Sequence, residues 1–110
     1  MTSNVYALYN SYLGVYEAPF FQQLSKADIC EGYRRLVLSD PQKAYEKRLH
    51  ECRLMYLGTW DDVKGLISVT EAPQAVIEIA SFFPRGFIAK RAVAEEQADI
   101  ALADIERDIN

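Results

Sequence analysis

The residues with the clearest potential for chemistry are a group of cations and a few aromatic rings. Between Arg34 and Arg53 there are six basic residues against three acidic ones, and the basic ones are Arg34, Arg35, Lys43, Lys47, Arg48 and Arg53. Single-stranded nucleic acids are bound by cations that follow the phosphates and by rings that stack on the bases. Trp60 and Tyr12 lie in predicted loops, so we place them with the cations in a candidate DNA-binding site. For each ring, packing inside the fold is the alternative.

The other polar residues form no pattern typical of an enzyme. Asp61 and Asp62 are adjacent carboxylates that could bind a hard cation, but their place between two strand-like runs favours a turn. His50 is the sole histidine, and at the end of a basic helix we interpret it as a solvated charge. Cys30 and Cys52 have no metal-binding spacing, so we expect reduced thiols. We therefore expect no enzyme activity, no metal and no cofactor.

The overall composition is that of one soluble domain, with 110 residues, of which 50% are hydrophobic and 25% charged. A net charge of −4 would argue against a nucleic-acid partner, but from residue 92 onward six acidic residues stand against one arginine. The acidity is therefore concentrated in the tail. The first 16 residues are uncharged but lack a basic start and contain polar side chains. We expect them to be neither a signal peptide nor a membrane span.

A stretch in the middle of the chain predicts the β-hairpin around which the rest is organised. Cys52–Leu57 and Leu66–Thr70 are strand-like runs. The loop between them ends at Gly65, whose positive φ would close the turn. The first run is apolar on both faces, so we expect it inside the sheet.

A second hairpin is predicted near the start of the chain, from Val5–Tyr9 and Val15–Glu17. Pro19 ends this hairpin or places it at a sheet edge. We interpret Phe20 and Phe21 as a pair that enters the core where the chain leaves the sheet.

The clearest helix is predicted from Lys26 to Leu38. Ser25 and Asp28 resemble a capping box, and a helical period relates the apolar residues Ile29, Tyr33, Leu36 and Val37. A short second helix is expected from Pro41 to about His50, because Asp40 can cap it and proline suits its first position.

The last third of the chain contains an ambiguous run and a long helix. Residues 75–79 fit a final strand almost as well as a helix. A helix is predicted from Phe87 to Ile109, with a narrow apolar seam formed by Ala94, Ala98, Ala101, Ile105 and Ile109. Because so thin a seam needs a partner surface, we expect a homodimer. In such a dimer the acids of this helix could also cover Arg48 and Arg53 of the second copy and compete with DNA for them.

These elements predict an α+β fold. A small antiparallel sheet from two β-hairpins packs against one main helix in a domain of residues 1–84. Residues 85–110 form an acidic C-terminal helix outside that domain.

Three short motifs between Val5 and Ala75 carry a family resemblance. Near the start the chain reads Tyr6-Ala7-Leu8-Tyr9-Asn10-Ser11, followed by Pro19-Phe20-Phe21. The later motif is Leu54-Met55-Tyr56-Leu57-Gly58-Thr59-Trp60-Asp61-Asp62 with Gly65 after it. These segments resemble the patterns Y-x-[IL]-Y-[DN]-S, P-[FP]-F and L-x-x-[IL]-G-x-[FWY]-[DE]-D-x-x-G of the small nonstructural protein of gokushovirus-type Microviridae, which are single-stranded DNA phages.

The resemblance implies a nonenzymatic, DNA-binding phage protein of the host cytoplasm. It implies a role in genome replication or in the switch to single-strand synthesis, with single-stranded DNA as the partner. The alternative is a protein-interaction module that contacts host or phage replication proteins without binding DNA, through a sheet edge or the acidic helix. Residues 84–110 have no counterpart in the family pattern.

Overall fold

A computed structural model describes the backbone of residues 1–109 and the side chains of residues 1–100. It confirms the predicted α+β fold. The strands are β1 (Thr2–Asn10), β2 (Val15–Tyr16), β3 (Phe20–Gln22), β4 (Cys52–Asp61) and β5 (Leu66–Glu78). The helices are α1 (Lys26–Ser39), α2 (Pro41–Glu46) and α3 (Phe87–Ile109), with two 3₁₀-helices at Leu49–Glu51 and Ile79–Phe82.

The sheet is antiparallel, with the strand order β2-β1-β4-β5 and with β3 also paired to β1. Both predicted hairpins are confirmed. β4 lies between β1 and β5, as its two apolar faces predicted. The ambiguous run is resolved as strand up to Glu78, after which a 3₁₀-helix begins at Ile79.

The hydrophobic core lies between one face of the sheet and the helices. Strand alternation turns Tyr6, Leu8 and Leu54 toward this side. Tyr6 and Leu54 are completely buried there. They belong to one cluster with residues of α1, α2 and the segment that follows β5, namely Ile29, Val37, Ala44, Tyr45, Ile79 and Phe83.

α1 begins at the predicted cap, where the Ser25 hydroxyl accepts a hydrogen bond from the Asp28 N–H at 3.2 Å. The predicted apolar stripe is correct for Ile29 and Val37, which are buried. It is wrong for Leu36, which is 49% exposed. Leu36 instead lines an open groove of about 410 Å³ between α1 and the segment around β3.

The second helix is shorter than predicted. It ends at Glu46, because Arg48 adopts a left-handed φ of 64° and a 3₁₀-helix follows. His50 is therefore not a solvated charge at a helix end, and that prediction is wrong. Its side chain is 8% exposed and its ring stacks on Tyr45 with the ring centroids 4.1 Å apart. Burial lowers the pKa of His50.

Phe20 and Phe21 form β3 and point to opposite faces of the sheet. Phe20 stacks on Tyr6 in the core, with the ring centroids 5.9 Å apart. Phe21 is 48% exposed and meets Trp60 on the other face. The prediction that both rings enter the core is therefore correct for Phe20 and wrong for Phe21.

α3 is the predicted C-terminal helix. Among its residues with described side chains, 87–100, those that pack against the core lie near its start. Phe87 and Ile88 pack against the core, and the Arg91 guanidinium lies 5.7 Å from the centre of the Tyr45 ring. In the predicted seam Ala94 and Ala98 are exposed, while Ala101, Ile105 and Ile109 lie outside the described side chains. None of the described helices is both long and apolar enough to cross a membrane.

Candidate functional site

The predicted cations lie on two different surfaces. The helical side carries Arg34 and Arg35 on α1, Lys43 on α2, and Lys47 and Arg48 directly after it. Arg53 lies on β4 opposite Tyr9, on the face of the sheet that points away from the helices. The structure therefore separates Arg53 from the other cations of the candidate site.

Two of the helical cations are held by one acid. Arg34 and Arg35 both bind the Glu31 carboxylate, at 2.8 Å and 3.1 Å. Their hydrogen bonds lower the pKa of Glu31 to about 2. This triad is exposed, so a phosphate could exchange with Glu31 at small cost.

Lys43 and Lys47 are exposed and one turn apart, as predicted. No acid within residues 1–100 lies at ion-pair distance from either of them. Within the part of the chain with described side chains, an anion could therefore bind these lysines without displacing a carboxylate.

A buried acid organises the end of the β1–β2 hairpin. The Glu51 carboxylate is 5% exposed. It accepts hydrogen bonds from Asn10 Nδ2 at 3.1 Å and from Arg48 Nη2 at 2.9 Å. Burial alone would raise the pKa of Glu51, but the bonds from Arg48 and Asn10 outweigh it and lower the pKa. Arg48 therefore has a structural partner that a phosphate would have to replace.

Tyr12 lies in the turn above this acid and is 68% exposed. Its N–H and that of Leu13 donate to Asn10 Oδ1 at 3.0 Å and 2.9 Å. The ring is nearly perpendicular to that of His50, with the centroids 6.3 Å apart. Tyr12 is thus the accessible ring that its loop position predicted.

The face of the sheet opposite the helices carries two pairs of aromatic rings. Tyr9 and Tyr16 have their ring centroids 4.9 Å apart. Phe21 and Trp60 have theirs 6.2 Å apart. Tyr16 is 47% exposed and Phe21 48%, and the other two rings are half-buried. We call these four rings, together with Arg53, the open sheet face.

The register of the strands sets the spacing of the two ring pairs. Tyr16 lies opposite Tyr9, and Phe21 lies opposite Val5. The two positions are four steps apart along β1, about 14 Å at the usual rise of a strand. Between them lie Ala7 and Met55, which are almost completely buried. The accessible apolar surface of the two ring pairs therefore comes from the rings, not from these two side chains.

The prediction of a loop position for Trp60 is wrong, because Trp60 is the penultimate residue of strand β4. The sequence analysis also missed one surface ring. Tyr6, the first ring of the early motif, is completely buried in the core, and its hydroxyl donates to the Leu24 carbonyl at 3.0 Å. Phe21 was missed as a surface ring. The alternation of two adjacent aromatics after Pro19 was the available signal, because neighbouring strand residues point to opposite faces.

Several residues of the late motif shape the β4–β5 hairpin. A Cβ on Gly58, which has a φ of 152°, would lie 2.0 Å from the Ser68 carbonyl oxygen. Gly65 supplies the predicted positive φ, at 67°. Asp61 Oδ1 accepts bonds from two turn N–H groups, and Asp62 pairs with the N-terminal amine. The turn interpretation of Asp61 is confirmed, and within residues 1–100 no group of three or more His, Cys, Asp or Glu side chains is placed to hold a metal.

The acidic helix approaches Arg48 of its own chain, whereas the predicted cover came from a second copy. Glu95 of α3 lines a cavity of about 290 Å³ together with Arg48 and His50. Arg53 lies on the open sheet face and pairs with Glu78 of β5. Arg48 thus has an α3 acid close by, whereas the acid paired with Arg53 comes from the sheet.

Comparison with protein families finds a match to the family described as Phage ORF5 protein over residues 3–82. No curated protein and no solved structure matches the chain. The matched region begins in β1, contains the complete set of later strands, and ends with the second 3₁₀-helix, before α3. The chain therefore belongs to the Phage ORF5 protein family.

Proposed function

We propose that this phage protein binds single-stranded DNA on its open sheet face and catalyses no reaction. The observation that supports the proposal best is the combination of two accessible ring pairs and an arginine on one face. Stacking of a base on an aromatic ring contributes about 1–3 kcal/mol and tolerates any base. Binding should therefore be weakly dependent on sequence.

The arginine would supply the phosphate contact. Arg53 lies beside Tyr9, and its side chain is 37% exposed. Its partner Glu78 is also exposed, so exchanging this carboxylate for a phosphate costs little. Lys43 and Lys47 on the helical side add attraction for DNA at longer range.

The biological role that fits this activity is in replication. The resemblance to the gokushovirus-type Microviridae protein supports action in genome replication or in the switch to single-strand synthesis. Both processes expose single-stranded DNA in the host cytoplasm, where the proposed protein would act. Membership of a phage protein family is consistent with this setting.

Truncation of exposed rings tests the proposal. Tyr16→Ala and Phe21→Ala should each weaken binding of a labelled 30-nucleotide single strand by about 5- to 150-fold, which corresponds to the loss of one stacked base. Leu38→Ala is the matched control, because Leu38 is 46% exposed on the helical side. Failure to bind the oligonucleotide at low salt, or equal losses in all three variants, would refute binding on this face.

The second candidate is a protein-interaction module, and one observation favours it. The outer edge of β5 exposes apolar side chains near its start, including Ile67 and Val69. Such an edge suits a protein partner better than a nucleic acid, because it carries no cation. A replication protein as the partner would leave single-stranded DNA unbound in the titration above.

A further inference from the structure

The start of β5 is an exposed strand edge. β5 is the last strand of the sheet, and among the described residues no strand pairs with its outer side. Leu66 is 58% exposed, Ile67 57% and Val69 75%. Proteins usually protect such edges with charges or prolines, because the free N–H and C=O groups pair readily with another strand.

In β5 the residues that protect the edge, a charge and a proline, occur only after Thr70. Gly58 lies opposite Val69, and the Thr70 hydroxyl donates to the carbonyl of the next β4 residue, Leu57, at 3.4 Å. Tyr56 lies opposite Gln74, so residues 71–73 are extra and bulge out. This bulge includes Glu71 and Pro73, and proline has no N–H to offer. The regular and unprotected part of the edge is therefore residues 66–70.

We propose that two copies of the chain pair through residues 66–70 of β5, antiparallel and centred on Ser68. The two sheets then become one continuous sheet. In this register Ile67 of each copy lies opposite Val69 of the other, and Leu66 lies opposite Thr70. Ile67 is on the same face as Trp60, its neighbour in β4, so the open sheet face continues across the dimer.

The segment fits a second copy of itself better than an unrelated partner. Residues 66–70 carry no charge, so the two-fold axis brings no like charges together. Antiparallel pairing places Lys64 of one copy near Glu71 of the other, and the symmetry repeats this contact at both ends. Opposite charges at the ends of an apolar strip fix the register. The dimer is independent of DNA binding.

Sedimentation of the full chain over a range of concentrations tests the dimer. The protein should sediment as a dimer, and Val69→Lys should shift it to a monomer, because a lysine on an edge strand disfavours pairing. Val63→Lys is the matched control, since Val63 is 82% exposed but lies in the turn. A monomer at every concentration, or a dimer that survives Val69→Lys, would overturn the proposal.

Cysteine cross-linking tests the register. In the proposed pairing the two Ser68 Cα atoms are about 4.5–5.5 Å apart, within the range of a disulfide. Ser68→Cys should therefore form a cross-linked dimer under mild oxidation. Leu66→Cys should not, because its two copies are about 14 Å apart in this register. The unsubstituted protein controls for Cys30 and Cys52, which are free thiols. Equal cross-linking of both variants would contradict pairing about Ser68.

Discussion

The two ends of the β4–β5 hairpin have opposite surroundings. At the base, Leu54 is completely buried beneath the helices. At the tip, Val63 is 82% exposed and Val69 75%. Stability is therefore supplied by the base, while the tip is available for contacts.

The late family motif spans both ends of this hairpin. It begins with Leu54 in the core, passes through Gly58 where β5 comes close, and ends with Gly65 in the turn. These residues therefore have structural roles in core packing, close strand approach and turn formation. Trp60, by contrast, lies on the open sheet face and combines packing against Phe21 with partial exposure. The motif thus specifies a projecting hairpin that presents one ring.

Core truncation should give the largest difference between the two ends. Leu54→Ala should lower the free energy of unfolding by about 2–5 kcal/mol, because it removes a completely buried side chain. Val69→Ala should change it by less than about 0.5 kcal/mol. Urea unfolding followed by circular dichroism measures both. Similar losses for the two variants would show that the tip is packed as well as the base.

A smaller loss is expected where the base and the tip join. Gly58→Ala should cost about 1–3 kcal/mol through its positive φ, and the new Cβ must also displace the Ser68 carbonyl. Gly32→Ala is a matched control, since Gly32 has a helical conformation and open space around it. The control should be neutral or stabilising. Equal stability of the two variants would contradict the close approach of β5 to Gly58.

The smallest effect concerns pH and lies entirely at the base. Burial lowers the pKa of His50 below its ordinary value of 6.5, and Arg48 acts in the same direction, against Glu51 and Glu95. The unfolded chain therefore takes up the proton first as the pH falls. Stability should be complete above about pH 7 and should decrease below pH 6.5 by up to about 1.4 kcal/mol per pH unit.

The substitution His50→Phe keeps a ring beside Tyr45 and removes the titrating group. It should abolish the decrease in melting temperature between pH 6.5 and 5. His50 is the sole histidine, so no other imidazole contributes in this window. An unchanged decrease in the variant would assign the pH dependence to another group.

Local patterns predicted the main elements of the fold because those elements depend on local chemistry. Ser25 caps α1, and Gly65 closes the central turn, as their positions indicated. The α+β class and the internal place of β4 followed from the same kind of pattern. The burial of Leu36 and the exposure of His50 were predicted wrongly, because both depend on how elements meet in space.

The candidate site was less accessible to sequence reasoning. The run from Arg34 to Arg53 suggested one patch, but a turn at Arg48 and the return into β4 put Arg53 on the opposite face from the others. The pairing of Phe21 with Trp60 joins residues far apart in the chain. Such pairings follow from strand register, which periodicity does not specify.

The fluorescence of Trp60 gives the most direct test of DNA binding on the open sheet face. Trp60 is the sole tryptophan, and it lies on the open sheet face. Titration with a single-stranded 30-mer at low salt should quench its fluorescence to saturation. The logarithm of the affinity should fall with the logarithm of the salt concentration, with a slope of about −0.7 per phosphate contacted. Unchanged Trp60 emission throughout the titration would contradict DNA binding on this face.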